Sequence, residues 1–364
     1  MKSWTQSRRE FIGTLATAGA VVTQVGGLSA KADTRRKIKL GIDNFAVRAM
    51  NWKADALLDY AAKLKTDSLL ISDLNAFTTR EEGYLTGLRK KAADLGLQIH
   101  LGTWSICPTS KSFRKDWGSA EEHLALGIRM AKSLGSPVLR VVLGSGDDRK
   151  TPGGIEARIE DTVKVCKKLK SQSVDAGVKI AVENHAGDLQ SWELVQLIEA
   201  AGKDFVGANM DSGNATWTME DPMTSLEILG PYALTTSLRD SAVWESAKGA
   251  TVQWTAMGEG NVDLSAYFKR FTELCPNVPV HIETISGFNR EIPYLEPGFW
   301  GAFPNASVSD FARFIALAKK GKVRAPHQHP PGSDGKVAEQ EYQKAEVERS
   351  IKNCKELFGL GEKV

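Results

Sequence analysis

The feature that most constrains the fold is a set of carboxylates that each follow a short apolar run. Glu183 ends KIAVE, Asp211 ends VGANMD, Asp240 ends ALTTSLRD and Glu283 ends VPVHIE. In a barrel of alternating strands and helices, the carboxyl ends of all strands meet on one face. The pattern therefore predicts clustered carboxylates there, whose mutual repulsion a divalent cation would relieve.

Eight apolar, β-rich runs alternate with eight amphipathic segments of helical length. The predicted strands cover 39–45, 68–73, 98–104, 138–144, 179–184, 206–211, 233–240 and 279–284. The predicted helices cover 53–65, 81–95, 117–134, 155–176, 190–201, 222–229, 263–275 and 307–320. This order predicts an α/β fold, the TIM (β/α)8 barrel. An open doubly wound sheet is the competing prediction, but no Gly-rich phosphate loop follows the first strand.

The first 32 residues predict an export signal. Ser7-Arg8-Arg9-Glu10-Phe11 is a twin-arginine pattern, a weakly apolar stretch follows it, and Ala30-Lys31-Ala32 is typical of a cleavage site. We therefore expect a periplasmic protein exported by the twin-arginine route, with no stable membrane span after cleavage. The predicted division is 1–32 signal peptide, 33–320 barrel, and 321–364 linker and C-terminal amphipathic helix.

Charge and cysteine content exclude some classes of protein. Lys and Arg number 47 and Asp and Glu 44, a net charge of +3. Residues 1–32 hold four basic residues and one acidic residue, also +3, so the mature chain is near neutral. A nucleic-acid partner is not expected without a basic surplus. The four cysteines show no C-x-x-C spacing, which favours buried free thiols, with a single disulfide left open.

Two long insertions and a tail depart from the repeating units. The insertions, 241–261 and 286–306, are rich in aromatic residues, among them Trp254. They are expected either to roof a sugar pocket or to serve in loop packing or a dimer contact. The tail predicts a helix over 338–358 with Val347, Ile351, Cys354 and Phe358 on one face. It should pack on the barrel or on a partner subunit, so a homo-oligomer stays open.

Several motifs together resemble a known family. VENHAG, MDSGN, TSLRD, GEGNVD and the late IET, set in the barrel pattern over about 38–320, are similar to the xylose-isomerase-like TIM barrels. This is the sugar phosphate isomerase/epimerase superfamily, and the likeness extends to an exported bacterial subgroup. The resemblance implies one divalent metal ion (Mn, Co, Mg or Zn), held by Glu, Asp, His and Glu from strands five to eight. Carried over residue by residue, the ligands are Glu183, Asp211 and Glu283, while Ser237 stands at the histidine position.

The replacement of histidine by Ser237 leaves three interpretations open, because a serine hydroxyl is a poor metal ligand. A water molecule could complete the site, or another side chain could substitute. Gln253 from the following insertion is one candidate, and His281 is a weaker one because it lies two residues deeper on its strand. The third interpretation is that both metal and activity have been lost.

The chemistry implied by such a site is proton transfer beside a carbonyl, with an enediolate intermediate. Glu183 and Glu283 are the expected catalytic pair. Proton return to the opposite face gives epimerisation, return to the neighbouring carbon gives isomerisation, and loss of a β-substituent gives elimination. The expected substrate-binding residues are His185, Asn214, Arg239, His100 and Trp254.

Three of these residues have alternative interpretations. His185 could instead act as a base or be structural, Arg239 could pair with a carboxylate, and His100 could form core hydrogen bonds. Asp240 is expected to be structural.

The leading hypothesis is an exported metal-dependent isomerase, epimerase or lyase for a sugar or keto-sugar. The alternative is a catalytically silent periplasmic sugar-binding protein that lost its metal through the Ser237 replacement. A zinc-dependent abasic-site nuclease of the same fold would need more than the six histidines present and a basic surplus.

Overall fold

The structure is a computed structural model that describes residues 38–363. The predicted signal peptide, 1–32, lies outside the described residues. Strands and helices are numbered in chain order, β1–β11 and α1–α11. The eight predicted strands are confirmed and form a parallel barrel: β1 (Leu40–Asp43), β2 (Ser68–Ile71), β3 (Gln98–Ser105), β4 (Val138–Val142), β5 (Lys179–Glu183), β6 (Val206–Met210), β7 (Ala233–Thr236) and β10 (Val280–Ile282).

The barrel is nearly closed. Hydrogen-bonded neighbours run in the order β10-β1-β2-β3-β4-β5-β6-β7, and all seven pairings are parallel. Between β7 and β10, the Leu238 N–H donates to the His281 carbonyl at 2.7 Å and the Glu283 N–H to the Leu238 carbonyl at 2.9 Å. The strands are short, buried and covered by helices, which explains their continuous apolar runs. Closure brings the end of β10 beside the carboxyl ends of the other strands.

Helices cover the outside of the barrel, and no helix within residues 38–363 combines the length and apolar character needed to cross a membrane. Ser119 and Glu122 form a capping box at α3, and Gly135 ends that helix with a φ of 71°. The predicted helices are confirmed, with 155–176 divided at Leu169. The helices are α1 (Ala54–Lys63), α2 (Glu82–Asp94), α3 (Ala120–Leu134), α4 (Gly154–Lys168), α5 (Lys170–Ala176), α6 (Ser191–Ala201), α7 (Ser212–Trp217), α8 (Pro222–Leu229), α9 (Leu264–Leu274), α10 (Val308–Ala318) and α11 (Gly335–Phe358).

The two insertions form a second, antiparallel sheet where the sequence suggested loops. It consists of β8 (Asp240–Ser246), β9 (Gly249–Thr255) and β11 (Asn289–Ile292), with β9 in the centre. Its apolar residues join those of α10 in a small second core that includes Val243, Val252 and Phe314. The aromatic residues near the end of the second insertion, Phe299, Trp300 and Phe303, pack on one another in the same region.

The tail ends in α11, which packs on the barrel. The predicted apolar face is confirmed, because Val347, Ile351, Cys354 and Phe358 are buried. Phe358 meets Phe268 of α9 with ring centroids 5.4 Å apart. Cys354 and the other three cysteines are buried free thiols, as the sequence predicted.

Candidate active site

Three strand ends place carboxylates at one point on the carboxyl face of the barrel. Glu183 is the last residue of β5, while Asp211 and Glu283 directly follow β6 and β10. One carboxylate oxygen of each lies within 4.8 Å of the others. Asp211 also caps α7, because its side chain accepts from the N–H groups of Gly213 and Asn214 at 2.8 Å. The structure thus brings together the three metal ligands expected from the resemblance.

Two arginines bind these carboxylates. The Arg239 guanidinium donates through Nη2 to both Asp211 and Glu283. Arg140 on β4 donates through Nε to Glu183 at 2.5 Å and through Nη1 to the Thr103 carbonyl at 2.9 Å. Both arginines are almost fully buried. Pairing of Arg239 with carboxylates, the alternative to substrate binding, is therefore what the structure shows.

Two asparagine amides also donate hydrogen bonds to the cluster. Asn214 donates through Nδ2 to Asp211 at 2.7 Å and to Glu183 at 3.3 Å. Asn209, inside β6, donates to Glu183 at 2.8 Å and to Ser237 at 3.2 Å. Sequence reasoning missed Asn209, since the amide lies within an apolar strand run that carries no separate signal.

A fourth carboxylate, Asp43, lies beside Ser237. The Ser237 hydroxyl donates to Asp43 at 3.1 Å, and Asp43 also accepts from the Ser72 hydroxyl at 2.8 Å. Asp43 ends β1, so it obeys the same strand-end rule as the other three. That rule, applied to the first strand, would have found it.

Charge in this buried cluster is unbalanced. Asp43, Glu183, Asp211 and Glu283 are at most 3% exposed and face two guanidinium groups, a net charge of −2 when all are ionised. Burial raises the pKa of Asp211 to about 7, against the effect of nearby Arg239. Burial likewise raises the pKa of Glu283 and of Asp43. These carboxyl groups therefore ionise less readily than usual, and added positive charge beside them would favour their ionised form.

A divalent cation fits this cluster in donor chemistry and in charge. The three convergent carboxylates are the oxygen donors that hard divalent ions prefer. A charge of +2 would also complement the residual −2 of the four carboxylates and two arginines. The arrangement can therefore hold a metal at Glu183, Asp211 and Glu283, provided that Arg239 releases its hydrogen bonds to Asp211 and Glu283.

A cavity of about 230 Å³ opens beside the cluster. Arg140, Arg239, Glu283, His185 and Asn214 border it, whereas Glu183 and Asp211 lie behind them. Its remaining walls are mostly aromatic: Phe45, Trp104, Trp217, Trp254 and Phe288. Aromatic faces of this kind suit the C–H surfaces of a sugar ring.

Stacked side chains build one cavity wall. Trp217, the last residue of α7, stacks on Trp254 of β9 with ring centroids 4.0 Å apart. The Arg239 guanidinium lies 4.2 Å from the Trp254 ring centroid, and that of Arg290 lies 3.8 Å from the Trp217 centroid. Trp254 was expected from the sequence as a substrate contact, and it borders the cavity. Its partner Trp217 was not, because the stack joins an α-helix to the insertion sheet.

His185 presents one ring nitrogen to the cavity. Its Nδ1 lies 2.6 Å from the Gly144 carbonyl, so Nδ1 carries the proton and donates. Burial lowers the pKa of His185, which favours the neutral ring with Nε2 as an acceptor. An edge contact with Trp104, with ring centroids 5.4 Å apart, fixes the ring plane. This geometry suits a substrate hydroxyl donor or a proton.

His100 is not a cavity residue, which corrects the expected substrate contact. It lies five residues, or about 16 Å, before the end of β3, deep inside the barrel. Its ring bonds to the Thr235 hydroxyl at 2.9 Å and packs on His281, with centroids 4.9 Å apart. His281 lies at the same depth and is not among the three residues of the carboxylate cluster, so it does not replace the missing imidazole.

Gln253 does not reach the cluster either. Its amide donates to Asn289 at 2.8 Å and to the Ala325 carbonyl at 3.0 Å. Pairing of β9 with β11 turns this side chain toward the tail instead of the barrel axis. Asp240 accepts from the N–H groups of Gly258 and Gly260 at 3.0 and 2.8 Å, the structural role expected for it.

Comparisons with known proteins identify a family and a shared fold. The sequence profile of a family described as xylose isomerase-like TIM barrel matches residues 58–293. The chain is 21% identical over 213 residues to the 3-oxo-isoapionate decarboxylase of Pectobacterium atrosepticum. That alignment covers 58% of this chain and 70% of the decarboxylase.

Solved structures share the fold. D-psicose 3-epimerase from Clostridium cellulolyticum is 14% identical, with a TM-score of 0.53 over 77% of this chain and 96% of the epimerase. The 3-keto-D-glucoside 4-epimerase from E. coli is 12% identical, with a TM-score of 0.51 over 74% of this chain and 98% of the epimerase. At these identities the matches establish the common architecture alone.

Proposed function

The chain belongs to the xylose isomerase-like TIM barrel family, and on that premise we propose that it is a divalent-metal-dependent enzyme that moves a proton beside the carbonyl of a keto-sugar. Its relatives are enzymes, sugar epimerases and a decarboxylase. The substrates in several of their names are ketones, whose carbonyl acidifies a neighbouring C–H bond. The reaction class proposed is therefore isomerisation, epimerisation or elimination through an enediolate.

The observation that carries the proposal is the buried carboxylate cluster at the floor of an aromatic-walled cavity. Glu183, Asp211 and Glu283 are the residues that would hold the metal, and they converge within 4.8 Å. A divalent cation there would supply positive charge that favours proton loss next to a carbonyl. Manganese, cobalt, magnesium and zinc all remain candidates for that ion.

The proton-transfer pair is assigned from position. Glu283 borders the cavity, so its carboxylate is the first candidate to accept the substrate proton. Glu183 is fully buried behind Arg140, Asn209 and Asn214, which hold it in place as the second member. His185 faces the cavity through Nε2 and can bind a substrate hydroxyl or return the proton.

Cavity size and charge favour an unphosphorylated substrate. A volume of about 230 Å³ suits a single sugar ring. Arg140, which borders the cavity, is already bonded to Glu183 and to the Thr103 carbonyl, which leaves it poorly placed for a phosphate. The predicted export signal supports the same conclusion, because phosphorylated sugars are mostly cytoplasmic. An oxidised sugar or keto-glycoside in the periplasm is the proposed substrate.

Deuterium exchange tests this function. The purified protein, supplied with Mn²⁺, is incubated with a panel of keto-sugars and 3-keto-glycosides in D₂O, and exchange of the C–H beside the carbonyl is followed by NMR. We expect exchange with at least one member and a loss of about 100-fold or more in Glu283→Gln. The control, Glu245→Gln, removes an exposed carboxylate on β8 and should exchange normally.

Absence of exchange across the panel in metal-loaded protein would overturn the proposed function. Sugar binding without exchange would indicate the catalytically silent binding protein instead.

A further inference from the structure

We propose that Arg239 and the divalent cation compete for Asp211 and Glu283, so that metal loading releases the Arg239 guanidinium into the substrate cavity. The inference rests on the proposed function, since it concerns the same metal and the same cavity. It assigns Arg239 two alternative positions, one bound to the carboxylates and one available to a substrate oxygen.

The contacts of Arg239 motivate the competition. A single nitrogen, Nη2, donates to two of the three carboxylates that would hold the metal. A cation at those carboxylates would need the same oxygen lone pairs, and it would repel the adjacent guanidinium. Ser237 adds nothing to the metal, because its hydroxyl is bonded to Asp43. With three protein ligands instead of four, the metal competes with Arg239 less strongly than it would in a site that keeps the histidine.

The chain provides a dedicated place for this guanidinium. It lies over Trp254, whose indole N–H donates to the Gly213 carbonyl at 3.0 Å. Gly213 also makes room for the side chain, since a Cβ there would lie 2.3 Å from Arg239 Cγ and 2.5 Å from Cδ. The position between the carboxylates is therefore built from three elements and is not a chance contact.

The carboxylate-bound position leaves Arg239 incompletely satisfied. Within the described residues, its buried Nε has no hydrogen-bond partner. A buried donor without a partner is destabilising, so this position is not optimal for the guanidinium. Arg239 already borders the cavity, and a small rotation would direct its donors at a carbonyl or hydroxyl oxygen of a sugar.

Metal affinity tests the competition without measuring activity. Mn²⁺ binding to the full-length chain is measured by titration calorimetry for the wild type and for Arg239→Met, which retains bulk and removes charge. We expect Arg239→Met to bind Mn²⁺ at least tenfold more tightly. The matched control is Arg290→Met, the same change of charge at the other end of the tryptophan stack, without contact to the carboxylates. It should change the affinity by less than threefold.

A second variant separates displacement of Arg239 from loss of its charge. Gly213→Ala retains the guanidinium and pushes it from its place by the new Cβ, so Mn²⁺ affinity should also rise. Circular dichroism and thermal unfolding establish that each variant is folded. An affinity in Arg239→Met equal to or weaker than that of the wild type would overturn the competition, and so would equal gains in Arg239→Met and Arg290→Met.

The outcomes also distinguish this inference from the proposed function. Tight stoichiometric Mn²⁺ binding by the wild type, unchanged in Arg239→Met, refutes competition and leaves the metal-dependent function intact. Failure of both proteins to bind any supplied divalent ion refutes the competition together with metal dependence.

Discussion

Asp43 brings a fourth carboxylate to the cluster from the first strand of the barrel. It accepts hydrogen bonds from Ser72 and Ser237, both neutral, and burial raises its pKa. Its position beside Ser237 means that a negative charge lies next to the place that histidine fills in the family resemblance. Asp43 therefore strengthens the attraction for a cation at the position where Ser237 replaces the neutral histidine ligand.

Replacement of this charge should have opposite effects on stability and metal affinity. Asp43→Asn keeps an acceptor for Ser72 and removes one uncompensated buried charge. At pH 8 with chelator, we expect the unfolding temperature to rise by about 2 °C or more. Mn²⁺ affinity should fall at least tenfold, because the residual charge drops from −2 to −1.

Thermal unfolding and calorimetry check both effects. The control, Asp73→Asn, changes a cavity-lining carboxylate that caps a short turn and is not one of the four clustered residues. A fall in stability of the cation-free Asp43→Asn protein would contradict an excess of negative charge in the cluster.

At the scale of elements, two additions to the barrel shape the site. The antiparallel sheet supplies Trp254, and the second insertion supplies Phe288 next to it. Helix α11 supports the same region from the outside, because its Ser350 hydroxyl accepts from the Met257 N–H at 3.1 Å. The cavity wall therefore depends on elements that the eight barrel units do not contain.

The contribution of α11 can be measured at its last turn. Phe358→Ala removes a buried ring that packs on Phe268, and we expect a loss of about 3 kcal/mol in the free energy of unfolding. The neighbouring Leu357 is 61% exposed, so Leu357→Ala should change stability by less than about 0.5 kcal/mol. Urea unfolding compares the two. Equal small losses would show that α11 is not part of the cooperative core.

At the scale of the whole molecule, the proposed role combines a folded metal site with export. The twin-arginine route carries proteins that are already folded, which suits a protein whose proposed metal ligands come from the ends of β5, β6 and β10. These three carboxylates span a hundred residues of sequence, from Glu183 to Glu283, so they meet only after the barrel closes.

The proposed export should depend on the first arginine pair in the chain. With Arg8 and Arg9 both changed to lysine, we expect the protein to stay in the cytoplasm of an expressing bacterium, whereas the wild type appears in the periplasm. The chain offers a matched control in Arg35 and Arg36, a second pair beyond the predicted cleavage site. Fractionation and immunoblotting measure the distribution. Periplasmic protein in the Arg8/Arg9 variant would refute the twin-arginine prediction.

The barrel and its strand-end carboxylates were predictable from the sequence because both depend on local patterns. Short apolar runs alternating with amphipathic helices determine the order of elements. The position of Glu183 or Asp211 at the end of a run then determines its face of the barrel. Asp43 followed the same rule and could have been predicted by it.

Features that depend on contacts between distant segments of the chain were determined only by the tertiary structure. The insertion sheet forms through pairing of β9 with β11, about 40 residues apart, and that pairing turns Gln253 away from the site. The stack of Trp217 on Trp254 joins a helix to this sheet. His100 shares the apolar pattern of its strand, yet its depth in the barrel keeps it from the cavity. The sequence offered Arg239 two chemically sound partners, a substrate or a carboxylate. Only the tertiary structure shows that Asp211 and Glu283 converge on its guanidinium.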